Sequence, residues 1–192
     1  MGTPMESWLP RHRITVDEYY RMAEVGLLAE NARVELIEGE IIDMAPIGSR
    51  HAAAVRRLTE LLQRAAGDRA TVSVQAPVRL NRASEPQPDV AVLKRRNDFY
   101  AERHPAPGDV LLIIEVSDTT LRYDLEVKVP LYARHGVPEV WVVDLKGGRL
   151  HFFRSPEEGK YKQVSSSADP RVREVAELPG VRIDLSGVAG RS

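Results

Sequence analysis

The stretch Leu111-Leu112-Ile113-Ile114-Glu115-Val116-Ser117 is an apolar run of strand length with one carboxylate set inside it. Runs of this kind suit a strand buried on both faces of a sheet. A lone ionised carboxylate in such a core costs several kcal/mol unless it is paired, so Glu115 calls for a partner. Alternation predicts Leu111, Ile113 and Glu115 on one face and Leu112, Ile114 and Val116 on the other. Taken alone, Glu115 can equally be a strand-end glutamate paired with an arginine.

Two further residues give it company. Asp89 opens a second apolar run, Pro88-Asp89-Val90-Ala91-Val92-Leu93. By itself a Pro-Asp pair often starts a strand or turn, with the aspartate bonding nearby backbone. Lys128 closes Leu121-Arg122-Tyr123-Asp124-Leu125-Glu126-Val127-Lys128. At about 100° per residue from Leu121, Leu125 falls at about 40°, Lys128 at about −20° and Tyr132 at about 20°. The lysine thus lies near the centre of an apolar stripe, where its head either snorkels to water or meets an acid. Asp124 can hold it in place or form an ordinary surface pair with it. Pro130 removes one helical bond, and a kink is expected near Glu126.

Two carboxylates on buried strands with one inward lysine suit a divalent-metal site for phosphodiester hydrolysis. Mg²⁺ (or Mn²⁺) takes hard oxygen ligands and keeps several waters, so Asp89, Glu115 and a backbone carbonyl, with Val116 the natural candidate, suffice. Such an ion polarises a phosphate and lowers the pKa of a bound water, while an ammonium orients that water or stabilises the pentacoordinate charge. No covalent intermediate is needed.

Outward from this centre, Thr15 and Glu18 form a capping box for a short helix running through Met22 and Val25 to a stop at Gly26. Arg33–Ile37 and Glu40–Met44 flank Glu38-Gly39 as a hairpin. Ser49–Ala66 reads as the longest helix, with His51, Val55, Leu58 and Leu62 on its apolar side and Gly67-Asp68 at its end. A strand is expected over Thr71–Leu80, at an edge or bulged because of Pro77. Asn81–Gln87 is turn-like. The charged segment Lys94–Asp109 is expected to be a flap over any site.

Past the Lys128 helix, which His135-Gly136 closes, Glu139–Asp144 reads as a buried strand. Joined to the Glu115 strand through that helix, it makes a parallel βαβ unit. Lys146-Gly147-Gly148 turns into Arg149–Phe153, which pairs with Lys160–Val164. Phe152-Phe153 either caps the core or forms an interface, and the tail offers one short strand near Val181–Ile183. The fold class is α/β (α+β), a central mixed sheet flanked by helices, in a single domain over residues 1–192 with a flexible lead-in over 1–13.

Composition narrows the function classes. The absence of cysteine excludes disulfides, thiolate zinc sites and cysteine nucleophiles. No run reaches transmembrane length and the N-terminus lacks an apolar leader, so a cytoplasmic protein without membrane partners is expected. A net charge of −1 argues against a general polyanion-binding surface but leaves room for a local groove. The basic clusters Arg56-Arg57 with Arg64, and Lys94-Arg95-Arg96, are read as solvated faces.

The ordered series Glu35-Leu36-Ile37-Glu38-Gly39-Glu40, His51, Pro88-Asp89-Val90, Ile114-Glu115-Val116-Ser117, Asp124 to Lys128 with Tyr132, Gly136-Val137-Pro138-Glu139-Val140-Trp141 and Asp144 resembles the Uma-type family of restriction-endonuclease-like PD-(D/E)xK proteins. The resemblance runs from about Glu35 to Asp144. It implies a restriction-endonuclease-like fold, Asp89 and Glu115 as metal carboxylates, Lys128 as the catalytic lysine, and Glu35 and His51 as supporting residues. Ser117 stands where the general nuclease motif has its lysine, so Lys128 must bring the charge from the following helix. His51 can be a general base, a ligand or a core histidine.

The expected function is therefore a hydrolase, a Mg²⁺-dependent DNA endonuclease. A homodimer is expected because duplex cleavage needs two cuts. Two other readings stand beside it: a non-catalytic nucleic-acid or protein-binding module with a relict site, and a purely structural ion-pair cluster of the carboxylates with Lys128 and His51.

Overall fold

A computed structural model describes residues 10–29 and 31–189. The Glu115 run lies near the middle of its main sheet. In chain order the elements are α1 (Val16–Glu24), β1 (Val34–Ile37), β2 (Glu40–Asp43), α2 (Ser49–Ala66), β3 (Ala70–Val74), β4 (Val90–Lys94) and β5 (Val110–Ser117). Then come α3 (Leu121–Tyr123), a π-turn (Asp124–Lys128) and α4 (Val129–Arg134), which run on as one helical segment. β6 (Glu139–Asp144), β7 (Arg149–Glu157), β8 (Lys160–Ser167), β9 (Val172–Glu174) and β10 (Arg182–Asp184) complete the order.

Six strands form the mixed sheet β3-β4-β5-β6-β7-β8, and only β5 and β6 run parallel. Their crossover is the helical segment that carries Lys128. The apolar side of α2 (Val55, Leu58, Leu62) packs on one sheet face against Val92, Leu112, Ile114 and Trp141, with Ile183 and Leu185 of the tail filling the same layer. Leu131 and Tyr132 of α4 cover the other face over Ala91, Ile113, Val140 and Val142. Phe152 and Phe153 both pack inward, one into each layer. No described helix is long and apolar enough to cross a membrane.

The early elements follow their local signals. The Thr15/Glu18 capping box is formed, and α2 spans the expected residues up to Gly67. β1 and β2 pair around Glu38-Gly39. Of the lead-in expected over 1–13, residues 1–9 lie outside the described residues, and Arg13 is tied to Glu40 and to the Glu38 carbonyl.

Other expectations need correction. Leu111 does not share a face with Ile113 and Glu115. β5 carries one extra residue against β4, since Val92 pairs with Leu112 but Leu93 with Val110, and this bulge turns Leu111 to the α2 side. The strand expected to reach Leu80 stops at Val74, where Gln75 takes a φ of 48° and the chain turns away before Pro77. It is, as expected, an edge strand. Around Pro130 the helix does not simply kink: the turn before it widens, with the Val129 N–H bonding the Asp124 carbonyl. The tail holds two paired strands rather than one, β9 being too short and polar to show a period.

The Lys94–Asp109 segment is not a flap over the site. It joins the end of β4 to the start of β5, whereas Asp89 precedes β4 and Glu115 lies near the end of β5, so the antiparallel pair puts them at the opposite edge of the sheet. That segment lines a separate cavity with Tyr20 and Arg79.

Candidate functional site

Antiparallel pairing of Val90 with Ile114 sets Asp89 across from Glu115 at the end of the ladder. The Val116 N–H reaches over to Asp89 Oδ2 at 2.9 Å. The two carboxylates therefore come from neighbouring strands at the same end of the ladder. Both line one cavity of about 930 Å³, as do Glu35, His51, Val116 and Lys128. All the residues singled out in the sequence open into the same space.

Within it they form two groups. In the first, Lys128 Nζ lies 2.9 Å from Glu115 Oε1 and 3.3 Å from Glu35 Oε2, with all three side chains almost fully buried. Glu35 is further held by the Gln87 N–H at 3.0 Å and the Tyr123 hydroxyl at 3.1 Å. The Tyr132 hydroxyl donates to Glu115 Oε1 at 2.6 Å. Such a buried ion cluster stands because nearly every charge in it has a partner.

In the second group, His51 Nε2 lies 3.0 Å from Asp89 Oδ2, the oxygen that also accepts the Val116 N–H. Among the described residues Asp89 Oδ1 meets only the amide of Gln75, at 3.3 Å. His51 Nδ1 is buried and has no hydrogen-bond partner among the described residues. His51 reaches the site because it sits in the first turns of α2, on the side turned to the sheet.

The electrostatics follow from this packing. Burial pushes the Glu115 carboxyl up to about 8, against the pull of Lys128. Burial alone would lower the Lys128 ammonium, but Glu115, Glu35 and Asp124 outweigh it and hold it well above its ordinary value. Burial would also raise Asp89, yet the His51 hydrogen bond and charge bring it below the usual aspartate range. His51 is raised in turn, chiefly by its bond to Asp89.

One contributor was assigned otherwise from the sequence, and two were not assigned. Asp124 does not bond Lys128: its Oδ2 accepts from Ser117 Oγ and Thr120 Oγ1, both at 2.7 Å, which ties the end of β5 to the helical segment. Ser117 thus has a bonding role at the motif position where a lysine was expected. Tyr132 shares the Lys128 stripe on the helical wheel, but nothing local distinguishes a core tyrosine from one that grips a carboxylate. Tyr123 likewise has no local signal, because its partner Glu35 comes from β1.

Donor chemistry decides whether a hard cation fits. Glu115 Oε1 is taken by Tyr132 and Lys128, so Oε2 is left without a hydrogen bond among the described residues. Asp89 offers Oδ1. In a strand the N–H and C=O of one residue point the same way, so the Val116 carbonyl, like its N–H, is directed to the Asp89 side. Three oxygen donors of the kind Mg²⁺ prefers therefore belong to one end of the β4–β5 ladder. The residues fit such an ion as a partial shell to be completed by water and substrate; no group of three or more His, Asp or Glu forms a ready-made cage among the described residues.

The family model Uma2, described as "putative restriction endonuclease", matches residues 16–186. The crystal structure of a "putative nuclease belonging to DUF820" from Anabaena variabilis is similar, with a TM-score of 0.64 at 18% identity, covering 90% of this chain and 94% of that one. The likeness establishes the restriction-endonuclease-like fold. No curated protein matches the chain.

Proposed function

This chain belongs to the Uma2 family, and from that premise we propose that it is a divalent-metal-dependent endonuclease that hydrolyses phosphodiester bonds of DNA. The observation that carries the reading is the convergence of Asp89, Glu115 and Lys128 from three elements on one cavity. Asp89, Glu115 and the Val116 carbonyl would hold Mg²⁺ or Mn²⁺. When bound, the ion supplies Lewis-acid polarisation of the phosphate and acidifies a coordinated water.

The chain's own groups do the rest. Lys128 is ion-paired with Glu115 and Glu35, and its ammonium can donate to a phosphoryl oxygen as negative charge builds there. Glu35, with Gln87 and Tyr123 behind it, fixes the position of that ammonium. His51 holds Asp89 in one orientation and keeps it ionised. Hydrolysis breaks one P–O bond of the diester and forms another to the oxygen of water.

The test is cleavage of linear and supercoiled DNA by the purified protein with Mg²⁺, with Mn²⁺ and with chelator, beside Asp89→Asn. Metal-dependent cleavage lost in the variant, with its fold intact by circular dichroism, supports the reading. A protein that binds DNA but cuts none under any of these conditions would overturn it in favour of a binding module.

A further inference from the structure

We propose that Tyr132 is a positioning residue that sets the cation preference of the site by forcing Glu115 to bind through one oxygen. The inference rests on the metal-site reading above and goes beyond it to a residue that touches neither ion nor substrate.

A carboxylate oxygen has two lone-pair directions. Glu115 Oε1 accepts the Tyr132 hydroxyl at 2.6 Å and is ion-paired with Lys128 Nζ at 2.9 Å. Oε2 accepts no hydrogen bond among the described residues. A cation gripping both oxygens would have to displace the Tyr132 hydroxyl or drive Lys128 back onto Glu35, and the hydroxyl has no second partner among the described residues. Tyr132 is fully buried in the α4 layer among Ile113, Val140 and Val142. Its ring cannot swing away, and a displaced hydroxyl would be left unpaired in an apolar core.

Monodentate binding discriminates between ions. Mg²⁺ demands near-octahedral single-oxygen ligands at about 2.1 Å, whereas Ca²⁺ accepts bidentate carboxylates at about 2.3–2.6 Å in looser shells. A glutamate clamped by Tyr132 favours the small ion. Tyr132→Phe frees one lone pair of Oε1 while preserving the ring and its packing. The comparator is Tyr123→Phe, which removes an equivalent hydroxyl from Glu35, outside the ligand set.

The experiment is calorimetric titration of the metal-free wild type and both variants with MgCl₂ and with CaCl₂. For Tyr132→Phe the ratio of Ca²⁺ to Mg²⁺ affinity should rise by about five- to tenfold, the worth of about one hydrogen bond, while Tyr123→Phe keeps the wild-type ratio. An unchanged ratio in Tyr132→Phe, or an equal rise in both variants, overturns the proposal and leaves the metal site standing. Failure of the wild type to bind either ion overturns both. A second measurement needs no variant: the buried Tyr132 hydroxyl proton, followed by NMR, should persist in its hydrogen bond when Mg²⁺ is added. Its loss on Mg²⁺ binding would equally overturn the proposal.

Discussion

Lys128 Nζ lies 2.9 Å from Glu115 Oε1, and each side chain is the other's main answer to burial. Removing the cation alone strands the acids. Lys128→Met should lose about 3–5 kcal/mol of stability in urea denaturation at pH 8. The sign with pH follows from Glu115, which in the fold stays protonated up to about 8 rather than its ordinary 4.5. The folded state then holds a proton that the unfolded state has released, so stability falls as pH rises across that interval. The deficit of the variant should therefore shrink toward pH 5, where a neutral Glu115 needs no cation.

His51 and Asp89 predict a titration that can be read directly. The His51 ring resonances should show a midpoint above the ordinary 6.5, and Asp89→Asn should bring it down. Because the folded histidine keeps its proton longer than the unfolded one, the pair stabilises fully below about 6.5 and fades as pH rises through the folded midpoint. On the acid side, Asp89 gives up its share only as pH falls through its own depressed midpoint.

Ser117→Ala removes a buried hydrogen bond to the Asp124 carboxylate. Thermal denaturation should report a loss of about 1–3 kcal/mol, and Thr120 should keep the carboxylate partly satisfied. A change within 0.5 kcal/mol (about the noise for surface sites) would show that Thr120 alone secures the helical segment.

Gly147 approaches Asp144 so closely that an added Cβ would lie 2.0 Å from Oδ2. Gly147→Ala must push the carboxylate away and break the Gly147 N–H bond to Oδ1. The expected cost is about 1–3 kcal/mol in denaturant unfolding. Gly108→Ala, with nothing within 4 Å, is the control and should be near neutral.

Much of this arrangement was legible because its signals are local. Thr15 with Glu18, the apolar side of Ser49–Ala66, and the unbroken apolar runs around Glu115 and Trp141 each fix an element through a few neighbouring residues. Lys128 stood out for the same reason, being a charge on an apolar stripe. The failures share the opposite cause. Whether β5 bulges at Leu111 depends on the strand opposite. Tyr132, Tyr123 and Gln87 gain their roles from carboxylates on other elements, and no period within their own segments reveals that. The Lys94–Asp109 loop was misplaced because its composition describes a loop but not which end of the sheet it closes.

The contributing segments are scattered through the chain, with Glu35 and Glu115 leaving the ribosome ahead of Lys128 and β6 following it. Until the lysine emerges, the acids have no counterion and cannot settle into the core. The buried ion cluster can therefore close only once the crossover segment between β5 and β6 has been made.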